Sequence, residues 1–139
     1  MAEKRIVWTN PDGSVSVLIP APGVPEARWR KDIPPGVTAI ETDDEHLPKD
    51  RMFRAAWKVE NGQCCECPVK AKEVAHQIRR ELRAIEFAPQ DEAIAKQIPG
   101  VNETAEAERQ RIREKYAQMQ IEIDNCQTPD EMRRALGFR

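Results

Sequence analysis

A hydrophobic run long enough to cross a membrane, about 18 residues or more, does not occur in this chain. The N-terminal MAEKRIVWTN also lacks the apolar core of a leader. Neither membrane spanning nor secretion is expected. An excess of one charge is missing too: 22 Lys and Arg stand against 24 Asp and Glu, a formal net charge of −2, which leaves no electrostatic footprint for nucleic acid or acidic lipid. Aromatic residues make up only 5% and charged residues 33%, a balance that suits exposed helices better than a large compact α/β enzyme. There is no glycine-rich phosphate loop, nucleophile elbow or paired-acid motif, so no catalytic residue and no cofactor is expected.

Cysteine is sparse and unevenly placed. Cys64, Cys65 and Cys67 crowd together and Cys126 stands apart, unlike the framework of a secreted disulfide domain, so free thiols are expected. Cys64 and Cys67 form a C-x-x-C, which opens a thiol-dependent metal or redox reading. Structural zinc needs four converging ligands, and the other candidates are only Cys126, His46 and His76. The bland reading, small apolar strand residues, is preferred. Asp43, Asp44 and Glu45 before His46 lack the alternate spacing and glycine of a calcium loop and read as a solvated segment. His76 reads as a surface residue with no carboxylate partner evident in the sequence.

Turn signals and periodicity are what the chain does have. Asn10-Pro11-Asp12-Gly13 separates RIVWT from SVSVLI, predicting a β-hairpin with Val15, Val17 and Ile19 on one face. An isolated hairpin is marginal, so a covering partner is expected, which another subunit could supply. Pro20, Pro22, Pro25, Pro34, Pro35 and Pro48 then mark a long extended arm containing a β-like run at Val37 to Thr42. Trp29, between Arg28 and Arg30, reads either as an interface anchor or as a lid over the hairpin, the second being preferred.

Asp50 predicts the cap of a short helical turn carrying Phe53 and Trp57. Asn61-Gly62 predicts a tight hairpin in which Val59 faces Cys64 and Lys58 faces Cys65, so that Trp57, Val59 and Cys64 share one side while Lys58, Cys65 and Cys67 share the other. After Pro68 the spacing of Val74, Ile78, Leu82 and Ile85 predicts an amphipathic helix, which Pro89 kinks or ends. Ala93, Ile94 and Ile98 continue an apolar face to a stop at Pro99-Gly100. Ile112, Tyr116, Met119, Ile123 and Cys126 predict a second helix antiparallel to the first. Thr128-Pro129-Asp130-Glu131 predicts a capped last helix with Met132 and Leu136 inward.

The expected fold class is α+β, in three segments: residues 1–49 as β-hairpin and proline-rich arm, 50–68 as helical turn and Asn-Gly hairpin, 69–139 as helical hairpin with a short terminal helix. Within it, Trp8, Val17, Ile19, Trp29, Phe53 and Trp57 are the expected protein-contact residues.

IVWTNPDGSVSVLIPAP and DRMFRAAWKVENG, followed by KAKEVAHQIRRELR, resemble a family of small proteins encoded beside tail and host-recognition genes of tailed bacteriophages and prophages. The matching positions are Asp50, Arg51, Phe53, Arg54, Ala56 and Trp57, then Asn61 and Gly62, then Lys70, Ala71, Glu73 and Val74, and finally Thr128, Pro129 and Glu131. The chain departs from that pattern at Cys64 to Cys67 and between Gln90 and Asn102. The resemblance implies a virion or virion-assembly role; the leading expectation is a non-enzymatic virion protein of the tail, baseplate or tail-fibre attachment region, with other virion proteins and copies of itself as partners. Nucleic acid and membrane are not expected among those partners. Its implied location is the virion, and the host cytoplasm during assembly. The alternative it leaves open is a tail or tail-fibre assembly chaperone absent from the mature particle.

Overall fold

The computed structural model describes residues 2–138. The architecture is α+β, with antiparallel strands first and long helices after them. Two compact units divide between Ala71 and Lys72.

In the first unit, β1 (Lys4–Thr9) and β2 (Val15–Leu18) form the predicted hairpin, with Thr9 opposite Val15 and Ile6 opposite Leu18. The turn closes through Gly13 N–H to Asn10 C=O, Gly13 having a φ of 88° that a side chain would strain. A third strand, β3 (Ile40–Asp43), pairs with the other edge of β1, giving the order β2-β1-β3. The hairpin is therefore completed by its own chain, which corrects the expectation that its missing company lies in another subunit.

Both faces of this sheet are covered. Val7 and Val15 pack with Trp57 and Cys64, flanked by Val17, Ile40, Leu47 and Val59. Ile6 and Trp8 pack under Trp29, flanked by Leu18, Val24, Ile33, Val37 and Ala39. Trp29 sits at the end of the single-turn helix α1 (Glu26–Trp29), so the proline-rich stretch is a folded cover and not an extended arm. The prolines deny it strand hydrogen bonds, but its apolar residues find the sheet all the same. The expected boundary at 49/50 does not separate two bodies either, since Val7 and Val15 share one core with Trp57 and Cys64.

A 3-10 turn at Arg54–Ala56 leads into β4 (Trp57–Glu60), paired with β5 (Gln63–Glu66) in the predicted register, Val59 opposite Cys64 and Lys58 opposite Cys65. Asn61 and Gly62 take φ of 53° and 74°, the left-handed pair that a two-residue hairpin requires.

α2 (Pro68–Ala95) begins in the first unit and runs on into the second. It continues through Pro89, and Gln97 and Gly100, both at positive φ, make the turn into α3 (Val101–Asp124). Contacts at His76 with Asp124, Glu86 with Lys115 and Asp91 with Arg109 run in opposite directions along the two helices, which makes them the antiparallel pair expected. α3 buries Ile112, Tyr116 and Ile123 as its spacing predicts. On α2 the buried line runs through Ala71, Ala75 and Arg79, whereas Ile85, expected inward, is 68% exposed. α4 (Pro129–Ala135) starts as read: Thr128 Oγ1 accepts from Glu131 N–H, Glu131 Oε2 accepts from Gln127 N–H, and Met132 and Leu136 are buried.

Candidate partner-binding groove

Three of the six expected contact residues line one groove of about 410 Å³ in the first unit: Val17 from β2, Ile19 just past its end, and Trp57 from the start of β4. Leu47 and Pro48 complete the apolar lining. The alternation of β2 explains the placement, because Val15, Val17 and Ile19 follow one another on the face that carries Val7 and Trp57. Val17 is half-buried and Ile19 is 57% exposed.

The rim is cationic. Arg5, Lys49, Arg51 and Arg54 line the groove with a single carboxylate, Asp44. Asp44 is held in place by accepting the Glu3 N–H at 2.8 Å, and Arg5 reaches Glu3 at 3.2 Å. Lys49 Nζ donates to the Glu45 carbonyl at 3.2 Å. Arg54 donates to the Val15 carbonyl at 2.6 Å while its guanidinium lies 4.5 Å from the Trp57 ring centre, a cation–π contact that fixes both groups. Trp57 Nε1 is buried and has no hydrogen-bond partner among the described residues. Arg51 is exposed and, among the described residues, makes no ion pair.

The main chain contributes as well. Asn10 N–H donates to Ser14 C=O, so the bonded pairs of the hairpin include Trp8 with Ser16 and Ile6 with Leu18. Val17 then belongs to a non-bonded pair, and its N–H and C=O face away from β1 along the free edge of the sheet. Arg54 already occupies the neighbouring Val15 carbonyl on that edge.

The other expected contact residues are placed differently. Trp8 and Trp29 are buried against each other's neighbours on the opposite face of the sheet, with Trp8 Nε1 donating to Asn10 Oδ1 at 3.0 Å. Phe53 is fully buried. These three, and most of Trp57, are used up within the unit, a correction to their reading as free contact anchors: a ring that is already covered has no apolar surface left to bury on a partner. For Trp29 the lid reading is the one the fold realises. Leu47, Arg51 and Arg54, absent from the sequence-derived contact set, are brought to Val17 and Ile19 only by tertiary folding. The nearest signal was the clustering of Arg51, Arg54 and Trp57 in one short segment.

The thiols do not form a comparable centre. Strand alternation puts Cys64 on the core side of β5 and Cys65 on the other. Burial pushes the Cys64 thiol up to about 11 and raises Cys126 as well, keeping both as neutral, weakly nucleophilic groups. Asp43 is held below the usual carboxylate range, chiefly by its hydrogen bond to His46, which closes that acidic loop on itself.

In the second unit, His76 acquires the carboxylate that sequence reading could not supply. Its Nε2 lies 2.7 Å from Asp124 Oδ1, and Arg79 Nε lies 3.3 Å from its Nδ1. Burial is the main reason the Arg79 guanidinium sits below its ordinary range, with Arg80 and Arg83 adding repulsion and Asp124 opposing it. The cluster borders a shallow cleft of about 470 Å³ with Glu73, Arg80 and Gln120. Nothing in it pairs a nucleophile with the imidazole, so its geometry is that of a structural clasp between α2 and α3.

Compared with family models, with curated proteins and with solved structures, the chain matches none.

Proposed function

We propose that this chain is a non-enzymatic structural protein of a bacteriophage particle, in the tail, baseplate or tail-fibre attachment region, acting through protein–protein contacts. The observation that carries the reading is the groove in the first unit, where exposed Ile19 and half-buried Val17 lie beside Trp57 under a rim of four cations. An apolar floor inside a polar rim is the anatomy of a protein contact. Trp8 and Trp29 are committed to the core, so of the expected contact residues Val17 and Ile19 keep the most surface for a partner. The resemblance of DRMFRAAW and its flanking segments to virion-associated proteins supplies the biological setting.

Mass spectrometry of particles purified from the encoding phage or induced prophage tests this reading. A structural role predicts the chain at a fixed ratio to the other tail proteins. Its presence in the assembling lysate and absence from the finished particle would move the assignment to the assembly-chaperone alternative.

A further inference from the structure

The groove at the end of β2 has a definite chemistry that its role as a contact surface does not by itself specify. We infer that it takes an extended, acidic segment of a partner protein, with an apolar side chain of that segment seated on Ile19 and Leu47 and a neighbouring carboxylate held by Arg51. The inference rests on the contact-protein reading and names the partner's chemistry.

Three observations carry it. The first is charge: four cations and one carboxylate line the groove of a chain whose formal net charge is −2, so the positive potential is local to this place. Arg5, Lys49 and Arg54 are engaged with Glu3, the Glu45 carbonyl and the Val15 carbonyl, which leaves Arg51 as the exposed guanidinium with its fork unoccupied by any described carboxylate. A planar guanidinium is the side chain best suited to hold a carboxylate through two parallel hydrogen bonds.

The second is the floor. Ile19 is 57% exposed and lines the groove together with half-buried Leu47, which is apolar area that a bound side chain would remove from water. The third is the edge. The N–H and C=O of Val17 point outward from a strand paired on one side only, and an extended backbone supplies the complementary groups. The edge is short and ends at Pro20, which has no N–H, so only a few main-chain bonds form and side-chain contacts set the specificity.

Selection of a displayed library of short random peptides against the full-length chain tests the inference while the natural partner is still unidentified. The expected result is enrichment of peptides that place Asp or Glu next to an aliphatic or aromatic residue. Arg51→Glu should weaken the selected peptides by about tenfold or more, and Ile19→Asp similarly. Both substituted residues are exposed, so the variants should keep the far-ultraviolet circular dichroism of the parent chain.

No enrichment, enrichment without acidic residues, or binding unchanged in Arg51→Glu would each overturn the inference. Displacement of the peptides by inorganic phosphate or by a DNA duplex at equal charge concentration would also overturn it, in favour of a general anion site. Detection of the chain in particles does not depend on any of these outcomes, so the contact-protein reading stands or falls separately.

Discussion

His76 Nε2 lies 2.7 Å from Asp124 Oδ1, a bond that joins the early part of α2 to the last residue of α3. Because Nδ1 accepts from Arg79 Nε, the imidazole proton resides on Nε2 and is donated to the carboxylate. The same carboxylate compensates the buried Arg79 guanidinium. Asp124→Ala should therefore lower the stability of the helical unit by about 1 kcal/mol. Asp124→Asn, which keeps an acceptor for Nε2 but loses the charge, should cost less. Urea denaturation followed by circular dichroism measures both, and equal stability of parent and Asp124→Ala would show that the clasp contributes nothing.

The thiols should differ sharply in reactivity. Cys64 is buried and its pKa is raised to about 11, whereas Cys65 and Cys67 are half-buried. Timed alkylation at pH 8 with peptide mass spectrometry should find Cys65 and Cys67 modified first and Cys64 last. The pH dependence of stability follows from the same shift. The folded pKa of about 11 lies above the ordinary thiol value of 9.0, so folding favours the protonated thiol. Its contribution is intact below pH 9 and is lost as pH rises from 9 through 11. Cys64→Ala should accordingly lose less stability than the parent across that interval.

α2 tolerates Pro89 in its interior at the cost of one main-chain hydrogen bond. Pro89→Ala restores the donor and should raise the stability of the helical unit by about 1–3 kcal/mol, since interior proline is disfavoured by about 3 kcal/mol relative to alanine. A rise in the thermal midpoint checks this, and a fall would show that the proline is matched to its surroundings.

Local chemistry made several elements legible in the sequence. Asn61-Gly62 dictated a left-handed turn, and with it the register that places Val59 opposite Cys64. Thr128, Pro129 and Glu131 dictated the start of α4, and the spacing from Ile112 to Cys126 identified the buried stripe of α3. The proline-rich stretch was misread because proline reports missing hydrogen-bond donors, not missing apolar partners. Val24 and Ile33 carry no helix or strand signal, and Val37 and Ala39 lie in a β-like run whose strand begins only at Ile40, yet all four close over Trp8 and Trp29. On α2, counting large apolar residues passed over Ala71 and Ala75, whose small side chains are fully buried, and assigned Ile85 to a face it does not occupy. The groove was half legible. Val17, Ile19 and Trp57 were among the expected contacts, but the return of residues 47–54 to the end of β2 is tertiary information.

A photo-crosslinking amino acid placed at Ile19 during particle assembly tests the central claim most directly, with the same group at Ile121, an exposed position on α3, as reference. The account predicts that irradiated particles yield an adduct from position 19 to another structural protein, mapped to an acidic extended segment, and far less from position 121. Particles that contain the chain but give no adduct from position 19, or equal adducts from both positions, would contradict it.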